Sequence, residues 1–162
     1  MPHVEELAKI SIKLRENVIK MLEEAGTGHS AGSLGTAEIF STLYFHVLNI
    51  DPKNPNDPNR DRFVLSAGHI CPVYYAALAE KGYFPETDLW KLRKINSPLQ
   101  GHPDRTKTPG VDASSGSLGQ GLSQAIGMAI SAKLDNLHHR IYCLTSDGEL
   151  NEGQIWEAAM FA

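Results

Sequence analysis

The sequence predicts an α/β fold, in which an open and mostly parallel sheet carries helices on both faces. Two short apolar runs, 63–65 and Ile141–Leu144, are typical of strands, and each is followed by a glycine-containing turn and a helical pattern. Neither run alternates with polar residues, which favours strands that are buried on both faces. Because such a sheet needs several strands, residues 1–162 are expected to hold only part of it.

Helical patterns occupy most of the remaining chain. Apolar residues at three- and four-residue steps predict an amphipathic helix over Val4–Ala25, which ends before Gly26. Other helical patterns cover 36–48, Cys71–Lys81, 86–94, 118–134 and 152–162, the last without a stop signal. Loops are expected at 51–59 and at 96–116, and a loop as long as the second is more often functional than idle.

Composition and charge exclude several classes of protein. The 162 residues are 41% hydrophobic and 21% charged, with a net charge of −4, so a nucleic acid or an anionic membrane is not expected as a partner. No apolar run approaches the roughly 20 residues of a membrane span, and the first residues lack a secretory signal pattern. We therefore expect a cytoplasmic protein in which Cys71 and Cys143 are buried, reduced thiols.

Histidine is concentrated in three Gly-His pairs. Random order would give about 0.6 such pairs from this composition. Each pair lies in a turn, where glycine allows close backbone approach and the imidazole can meet a ligand. We expect His29, His69 and His102 to share a polar pocket. The other four histidines are expected to have no such role: His3 as an end residue, His46 on a helix face, and His138 and His139 as exposed loop residues.

Two glycine-containing turns are candidates for phosphate and metal binding. The segment Gly116–Gly121 leads into a helix and could offer backbone N–H groups to an anion, although close helix packing explains it almost as well. Asp147 and Gly148 follow a strand, at the sheet edge where ligands collect, and a carboxylate there suits a hard cation. A helix terminus contributes only about 0.3–1 kcal/mol toward an anion, so a diphosphate would need that cation. The alternative for Asp147 is a turn or helix-cap residue.

Three further acidic residues follow Asp147. Glu149 is expected to be a solvated partner of the helix dipole, Glu152 opens the last helix, and Glu157 lies on a different face of it. The basic residues around His102 are expected to form a solvated face; they are Lys91, Arg93, Lys94, Arg105 and Lys107.

Five segments together resemble the N-terminal section of transketolase, an enzyme that depends on thiamine diphosphate. They follow in the family's order, cover nearly the whole chain, and are most similar to the short form in which transketolase is split into N- and C-terminal chains. The segments are TGHSAGSLG (27–35), RDRFVLSAGH (60–69), LQGHPD (99–104), PGVDASSGSLGQGL (109–122) and SDGELNEGQIWEA (146–158).

The resemblance implies a fold, a cofactor and roles for individual residues. Residues 1–162 would be the N-terminal part of a thiamine diphosphate-binding fold of the pyrophosphate-domain type. His29 and His102 would face the donor sugar, while His69 would lie against the cofactor diphosphate. Gly116, Ser117 and Leu118 would contact the cofactor rings. Asp147 would bind Mg²⁺ or Ca²⁺, and Gly148 would let the diphosphate approach the backbone.

The resemblance also implies an activity and partners. A two-carbon ketol unit would pass from a ketose phosphate to an aldose phosphate, as in the pentose phosphate pathway. The partner would be a C-terminal transketolase chain that carries the pyrimidine domain, in a homodimer or heterotetramer. Glu152 would join a carboxylate network across that dimer, supported by Glu157.

Some features depart from the family pattern and leave alternatives open. Ser146 stands where glycine is usual, and it would strain the metal loop if this position needs a positive φ. The asparagine that supplies a second metal ligand lies beyond residue 162 in the family, so the chain is expected to be a fragment or to be completed by another chain. The alternatives are a non-catalytic assembly subunit, or another thiamine diphosphate enzyme such as dihydroxyacetone synthase or deoxyxylulose phosphate synthase. The 99–104 segment favours transketolase over the latter.

Overall fold

A two-stranded parallel sheet forms the centre of the computed structural model, which describes residues 4–162; His3 lies outside the described residues. Strand β1 (Arg62–Leu65) pairs with β2 (Ile141–Leu144), so that Arg62 lies opposite Ile141 and Leu65 opposite Leu144. The apolar part of β1 is buried, as predicted, but β2 is only half-buried along its whole length. Full burial of β2 was therefore a wrong prediction, because the apolar side chains of β1 lie inside the two hydrophobic clusters whereas those of β2 only pack against their margins.

Helices cover both faces of the sheet, as the sequence predicts. Side chains alternate between faces along a strand, so Phe63 and Leu65 enter one hydrophobic cluster while Val64 enters another. The second cluster is completed by residues of β2 and of α5 (Gly121–Leu134), a helix that contacts both strands. The architecture is thus α/β with two covered faces.

The larger core lies between the first helices and β1. Helix α1 (Val4–Ala25) packs on α3 (Ala37–Thr42) and α4 (Cys71–Lys81), and it buries Leu14, Val18 and Met21 at the predicted spacing. An aromatic cluster closes this core, with neighbouring ring centroids 5.3–6.1 Å apart; its members are Phe40, Tyr44, Phe63 and Tyr74.

Several helix boundaries differ from the predicted ones. The pattern at 36–48 is α3 followed by a wider π-helical turn over Leu43–Val47, where the Leu48 N–H donates to the Leu43 carbonyl. A short helix, α2 (Ser30–Gly35), was not predicted. The later elements are the 3₁₀ turns Gly68–Ile70, Glu86–Lys91 and Gly148–Asn151, helix α5, and α6 (Gly153–Phe161).

Helix α4 and strand β1 hold the long loop that precedes α5. The Tyr75 hydroxyl donates to the Gln100 carbonyl at 2.9 Å, and the Cys71 thiol donates to the Gly101 carbonyl at 3.2 Å. Asp112 accepts hydrogen bonds from the Phe63 N–H at 2.8 Å and from Arg60 at 2.5 Å. The loop is therefore fixed on both sides of the Gly101-His102 pair.

The cysteines and the helices can also be compared with the predictions. Cys71 is a buried free thiol, as expected, whereas Cys143 is free but only half-buried because it lies on β2. None of the helices within residues 4–162 is long and apolar enough to cross a membrane.

Candidate active site

His29 and His69 lie in contact at the end of β1. His69 belongs to the 3₁₀ turn Gly68–Ile70, and His29 directly precedes α2. Their ring centroids are 5.1 Å apart in an edge-to-face arrangement, with an interplanar angle of 69°. The buried Ser33 hydroxyl donates to the His29 carbonyl at 2.9 Å and lies 3.4 Å from the Ile70 carbonyl. The first and second Gly-His pairs are therefore held together through one serine.

His102 lies beside Gly116, within ordinary van der Waals reach. A Cβ atom at Gly116 would lie 3.4 Å from the imidazole of His102. A Cβ atom at Gly68 would lie 2.9 Å from the backbone nitrogen of Gly116, which is too close for any side chain. The turn that carries His69 and the loop that carries Gly116 thus pack backbone against backbone, and His102 adjoins them.

Partial desolvation and neighbouring positive charge lower the pKa of His102, although the residue is exposed overall. The desolvation of the imidazole has the largest effect, followed by the charge of Arg93 and then by His69 and His29. His102 is consequently neutral at pH 7, with one ring nitrogen that can donate and one that can accept a proton. The contact of His29 with His69, and the packing of the His69 turn against Gly116 beside His102, place the three side chains in one region.

Arg93 is a site residue that the sequence did not reveal. It was expected on a solvated face, but it is half-buried, and a Cβ atom at Gly101 would lie 3.0 Å from its guanidinium. Its φ of +60° is unusual for arginine and gives no signal in the sequence. The other four basic residues of this group are exposed, as expected, and ion pairs join Lys91 to Asp88 at 2.6 Å and Lys107 to Asp104 at 3.7 Å.

The four histidines to which no role was assigned differ in exposure where they are described. His46 and His138 are exposed, in line with the prediction. His139 was expected to be exposed but is half-buried. Its Nδ1 atom is buried and has no hydrogen-bond partner within residues 4–162.

The glycine segment 116–121 is packed tightly at its second half. Ser117 and Leu118 are exposed, but Gly119 is buried with a φ of +77°, and a Cβ atom there would lie 2.7 Å from a carboxylate oxygen of Glu152. At Gly121 a Cβ atom would lie 2.6 Å from the Cα atom of Ser66. Close packing, one of the two explanations for these glycines, therefore applies to Gly121.

Glu149 is fully buried, so the prediction of a solvated helix-dipole partner was wrong. Its carboxylate accepts hydrogen bonds from the Ser66 hydroxyl, from the Gly119 N–H at 2.9 Å and from the Ser146 N–H at 2.7 Å. Burial alone would raise the pKa of Glu149, but these donors outweigh it and lower the pKa. The sequence signal was only its position two residues after Asp147, which does not distinguish a buried carboxylate from an exposed one.

Asp147 and Gly148 are exposed at the end of β2. Asp147 lies in the turn that precedes the 3₁₀ turn Gly148–Asn151 and makes no side-chain cap hydrogen bond, so of the alternatives for this residue the turn is confirmed and the helix cap is wrong. A Cβ atom at Gly148 would meet nothing within 4 Å. Ser146 is not among the described residues with a positive φ, so the strain considered for this position does not arise.

The residues around Asp147 match a metal site only in part. Its carboxylate and the open space at Gly148 suit a hydrated cation that also binds phosphate oxygens. Across the described part of the chain, no group of three His, Cys, Asp or Glu side chains is placed to hold a metal ion. Asp147 can thus offer one oxygen ligand, and the described residues do not by themselves form a complete metal site.

Glu152 and Glu157 occupy different surroundings on the last helix. Glu152 is half-buried against Gly119, whereas Glu157 is exposed and lines a groove of about 320 Å³ between α5 and α6. Apolar side chains form much of this groove, which we call the α5–α6 groove; they include Ile126, Ile130 and Phe161. A larger cavity of about 1100 Å³, beside the start of β1, is lined by none of the predicted site residues.

Comparison with known proteins identifies the family of the chain. The family described as transketolase, thiamine diphosphate binding domain, matches residues 8–162. The 6-deoxy-6-sulfo-D-fructose transketolase subunit SqwG of Clostridium sp. (strain MSTE9) is 48% identical over 95% of this chain, and an apulose-4-phosphate transketolase subunit of Actinobacillus succinogenes is 44% identical over 98%. This chain spans 58% of each of these two relatives.

A solved structure extends the agreement to three dimensions. The transketolase of Campylobacter jejuni aligns with a TM-score of 0.92 and 36% identity over 99% of this chain, which corresponds to 26% of that protein. The family match covers almost the whole described chain, and the fold and the segment order agree with it. The chain therefore belongs to the transketolase family, within the thiamine diphosphate-binding domain.

Proposed function

We propose that this chain is the N-terminal part of a transketolase pyrophosphate-binding domain, which transfers a two-carbon ketol unit from a ketose phosphate to an aldose phosphate. The observation that carries the proposal is the contact of His29 with His69, whose turn packs against Gly116 beside His102, in a chain that belongs to this family. Each of these residues comes from a different segment of the sequence, so their proximity is a property of the fold.

Thiamine diphosphate is the proposed cofactor. When bound, it supplies an electron sink for cleavage of the carbon–carbon bond beside a ketose carbonyl. His69, Gly116, Ser117 and Leu118 would hold the cofactor, with Gly148 leaving room for its diphosphate. Asp147 would supply a carboxylate to Mg²⁺ or Ca²⁺, because its side chain makes no cap hydrogen bond and hard cations prefer oxygen ligands.

The histidines would act on the oxygen atoms of the sugars. His29 and His102 would face the donor hydroxyls, and a neutral His102 can accept a proton on one ring nitrogen while donating from the other. The lowered pKa of His102 supports this role, since it keeps the imidazole neutral at the pH of the cytoplasm, where we place the protein.

A partner chain would complete the site. Two relatives are named as subunits, and this chain spans 58% of each, which supports a C-terminal transketolase chain with a pyrimidine domain as partner, in a homodimer or heterotetramer. Glu152 would join the carboxylate network across the interface, with Glu157 in support. The exposed apolar residues near these glutamates favour a covered surface here; Trp156, Met160 and Phe161 are 57–80% exposed.

Activity of the reconstituted pair tests the proposal. With a xylulose phosphate donor and a ribose phosphate acceptor, we expect turnover only when the partner chain, thiamine diphosphate and Mg²⁺ are all present. His102→Ala should reduce the rate by about 10²–10⁴-fold, the usual contribution of a general acid–base. His138→Ala is the matched control, because His138 is exposed and outside the site. Absence of turnover in the complete mixture would refute the proposal.

A non-catalytic assembly subunit is the second candidate. The lack of a three-ligand metal cluster within residues 4–162 favours it, since Asp147 alone cannot hold a cation tightly. Calorimetry of the assembled protein with thiamine diphosphate separates the two functions. Saturable, Mg²⁺-dependent binding is expected only for the enzyme.

A further inference from the structure

Glu149 has a hydrogen-bond arrangement that only a carboxylate can satisfy. The side chain is 0% exposed, and each of its oxygens accepts two hydrogen bonds. Oε1 accepts from the Ser66 hydroxyl and from the Gly119 N–H at 2.9 Å, while Oε2 accepts from the Ser146 N–H at 2.7 Å and from the Ser146 hydroxyl at 3.1 Å. All four positions around the carboxylate are donors, which matches an acceptor-only group.

These donors come from three segments that are far apart in the sequence. Ser66 directly follows β1, Gly119 belongs to the glycine segment, and Ser146 lies in the turn after β2. The network continues to α5, because the Ser66 hydroxyl accepts a hydrogen bond from the Gly121 N–H at 3.1 Å. One buried side chain thus joins both strand ends to the start of α5.

We propose that Glu149 is a positioning residue that holds the glycine segment 116–121 in register with the Asp147 turn. Gly119 follows Leu118 directly, and Ser146 precedes Asp147, so both donor amides adjoin residues to which the proposed function assigns cofactor or metal contacts. The hydrogen bonds of Glu149 are independent of the proposed function, and only the expected effect on cofactor binding rests on it. Because Glu149 is fully buried and both of its carboxylate oxygens are occupied by protein donors, it would act through the two backbone segments.

Glu149→Gln is a sharp test because it keeps the shape of the side chain. The amide NH₂ group must replace either Oε1 or Oε2, and in either orientation it would face a backbone N–H, that of Gly119 or that of Ser146. One of these buried donors is left without an acceptor, which costs more than the loss of a surface hydrogen bond. Glu23→Gln is the matched control, since Glu23 is exposed on α1.

Amide hydrogen exchange of the chain without cofactor measures directly whether Glu149 couples the glycine segment to the Asp147 turn. In Glu149→Gln we expect exchange at Gly119 and Ser146 to become about tenfold faster or more, with no change in Glu23→Gln. Ser66→Ala is the second variant, for use if Glu149→Gln fails to fold; it should accelerate exchange at Gly121 and Gly119 but spare Ser146. Unchanged exchange at Gly119 and Ser146 in a folded Glu149→Gln chain would overturn the proposal.

Cofactor binding by the chain with its partner tests the consequence. We expect the Kd for thiamine diphosphate, with saturating Mg²⁺, to rise about tenfold in Glu149→Gln and to stay unchanged in Glu23→Gln. If the unmodified complex binds no cofactor, the proposed function fails, and the exchange comparison still decides whether Glu149 couples the two segments. Faster exchange with an unchanged Kd would overturn the positioning role and leave Glu149 as structural support alone.

Discussion

Helices α4 and α6 are both apolar, yet one is enclosed and the other is largely open. Nine consecutive residues of α4, 71–79, are buried on all sides. In α6 only Ile155 and Ala158 are buried, and Met160 and Phe161 are 80% and 74% exposed. The two helices differ in their surroundings: α4 packs against α1, α2 and α3, whereas α6 packs mainly on α5 and the 3₁₀ turn before it.

The difference shows that apolar composition does not by itself determine burial. The part of the molecule formed by α1 to α4 and β1 has a completely enclosed core, which includes the aromatic cluster, and we call it the finished half. The part formed by α5, β2 and α6 has only a small hydrophobic cluster and a half-buried strand, and we call it the open half. The chain spans 58% of its subunit relatives, and the exposed apolar side chains of the open half are where we expect additional protein to pack.

Truncation of one phenylalanine in each half is expected to give the largest contrast. Phe40→Ala removes a fully buried ring from the aromatic cluster and should lower the free energy of unfolding by about 3–5 kcal/mol. Phe161→Ala removes a ring that is 74% exposed and should change it by no more than about 0.5 kcal/mol. Urea unfolding of the isolated chain measures both values. Similar losses for the two variants would show that α6 is as well packed as α3.

Two glycines of α5 give the next largest contrast. A Cβ atom at Gly121 would lie 2.6 Å from the backbone of Ser66, so Gly121→Ala should destabilise the chain by about 1–3 kcal/mol. At Gly127 a Cβ atom would meet nothing within 4 Å, so Gly127→Ala should stabilise the chain by about 0.5–1 kcal/mol through helix propensity. Thermal or urea unfolding compares the two, and destabilisation by both alanines would mean that the open face of α5 is covered in the isolated chain.

The sequence predicted the finished half better than the open half. Periodicity located α1 and α4, and the short apolar run at β1 was correctly assigned as buried, because each of these segments packs against several others. The same kind of run at β2 gave a wrong burial prediction, since a strand's exposure depends on neighbours that its own residues do not reveal. In the site, Gly-His pairs marked three histidines, but Glu149 and Arg93 were missed because their environments come from distant segments.

Association with the partner chain should depend on the open half. Phe161→Ser exchanges an exposed apolar side chain of the α5–α6 groove for a polar one and should weaken association about tenfold, a typical cost for an aromatic residue buried at an interface. Ile12→Ser is the control, because Ile12 is 56% exposed on α1 in the finished half. Sedimentation or calorimetry with the partner chain measures both, and equal weakening would place the interface on α1 as well.

The smallest effect concerns His102, whose environment belongs to the finished half. Removing the positive charge beside it with Arg93→Gln should raise the pKa of His102 toward its ordinary value of 6.5, because the Arg93 charge lowers it after burial does. An NMR titration of the imidazole measures this shift, and Lys94→Gln, at an exposed position, is the control.

The lowered pKa of His102 also makes the stability of the fold depend on pH. A histidine whose folded-state pKa lies below its unfolded value binds fewer protons when folded, so the stability that it contributes is complete above about pH 6.5 and is lost as the pH falls toward the folded pKa. Arg93→Gln should therefore make the loss of stability on acidification shallower. An unchanged His102 titration in this variant would mean that burial, without the Arg93 charge, accounts for the neutral imidazole.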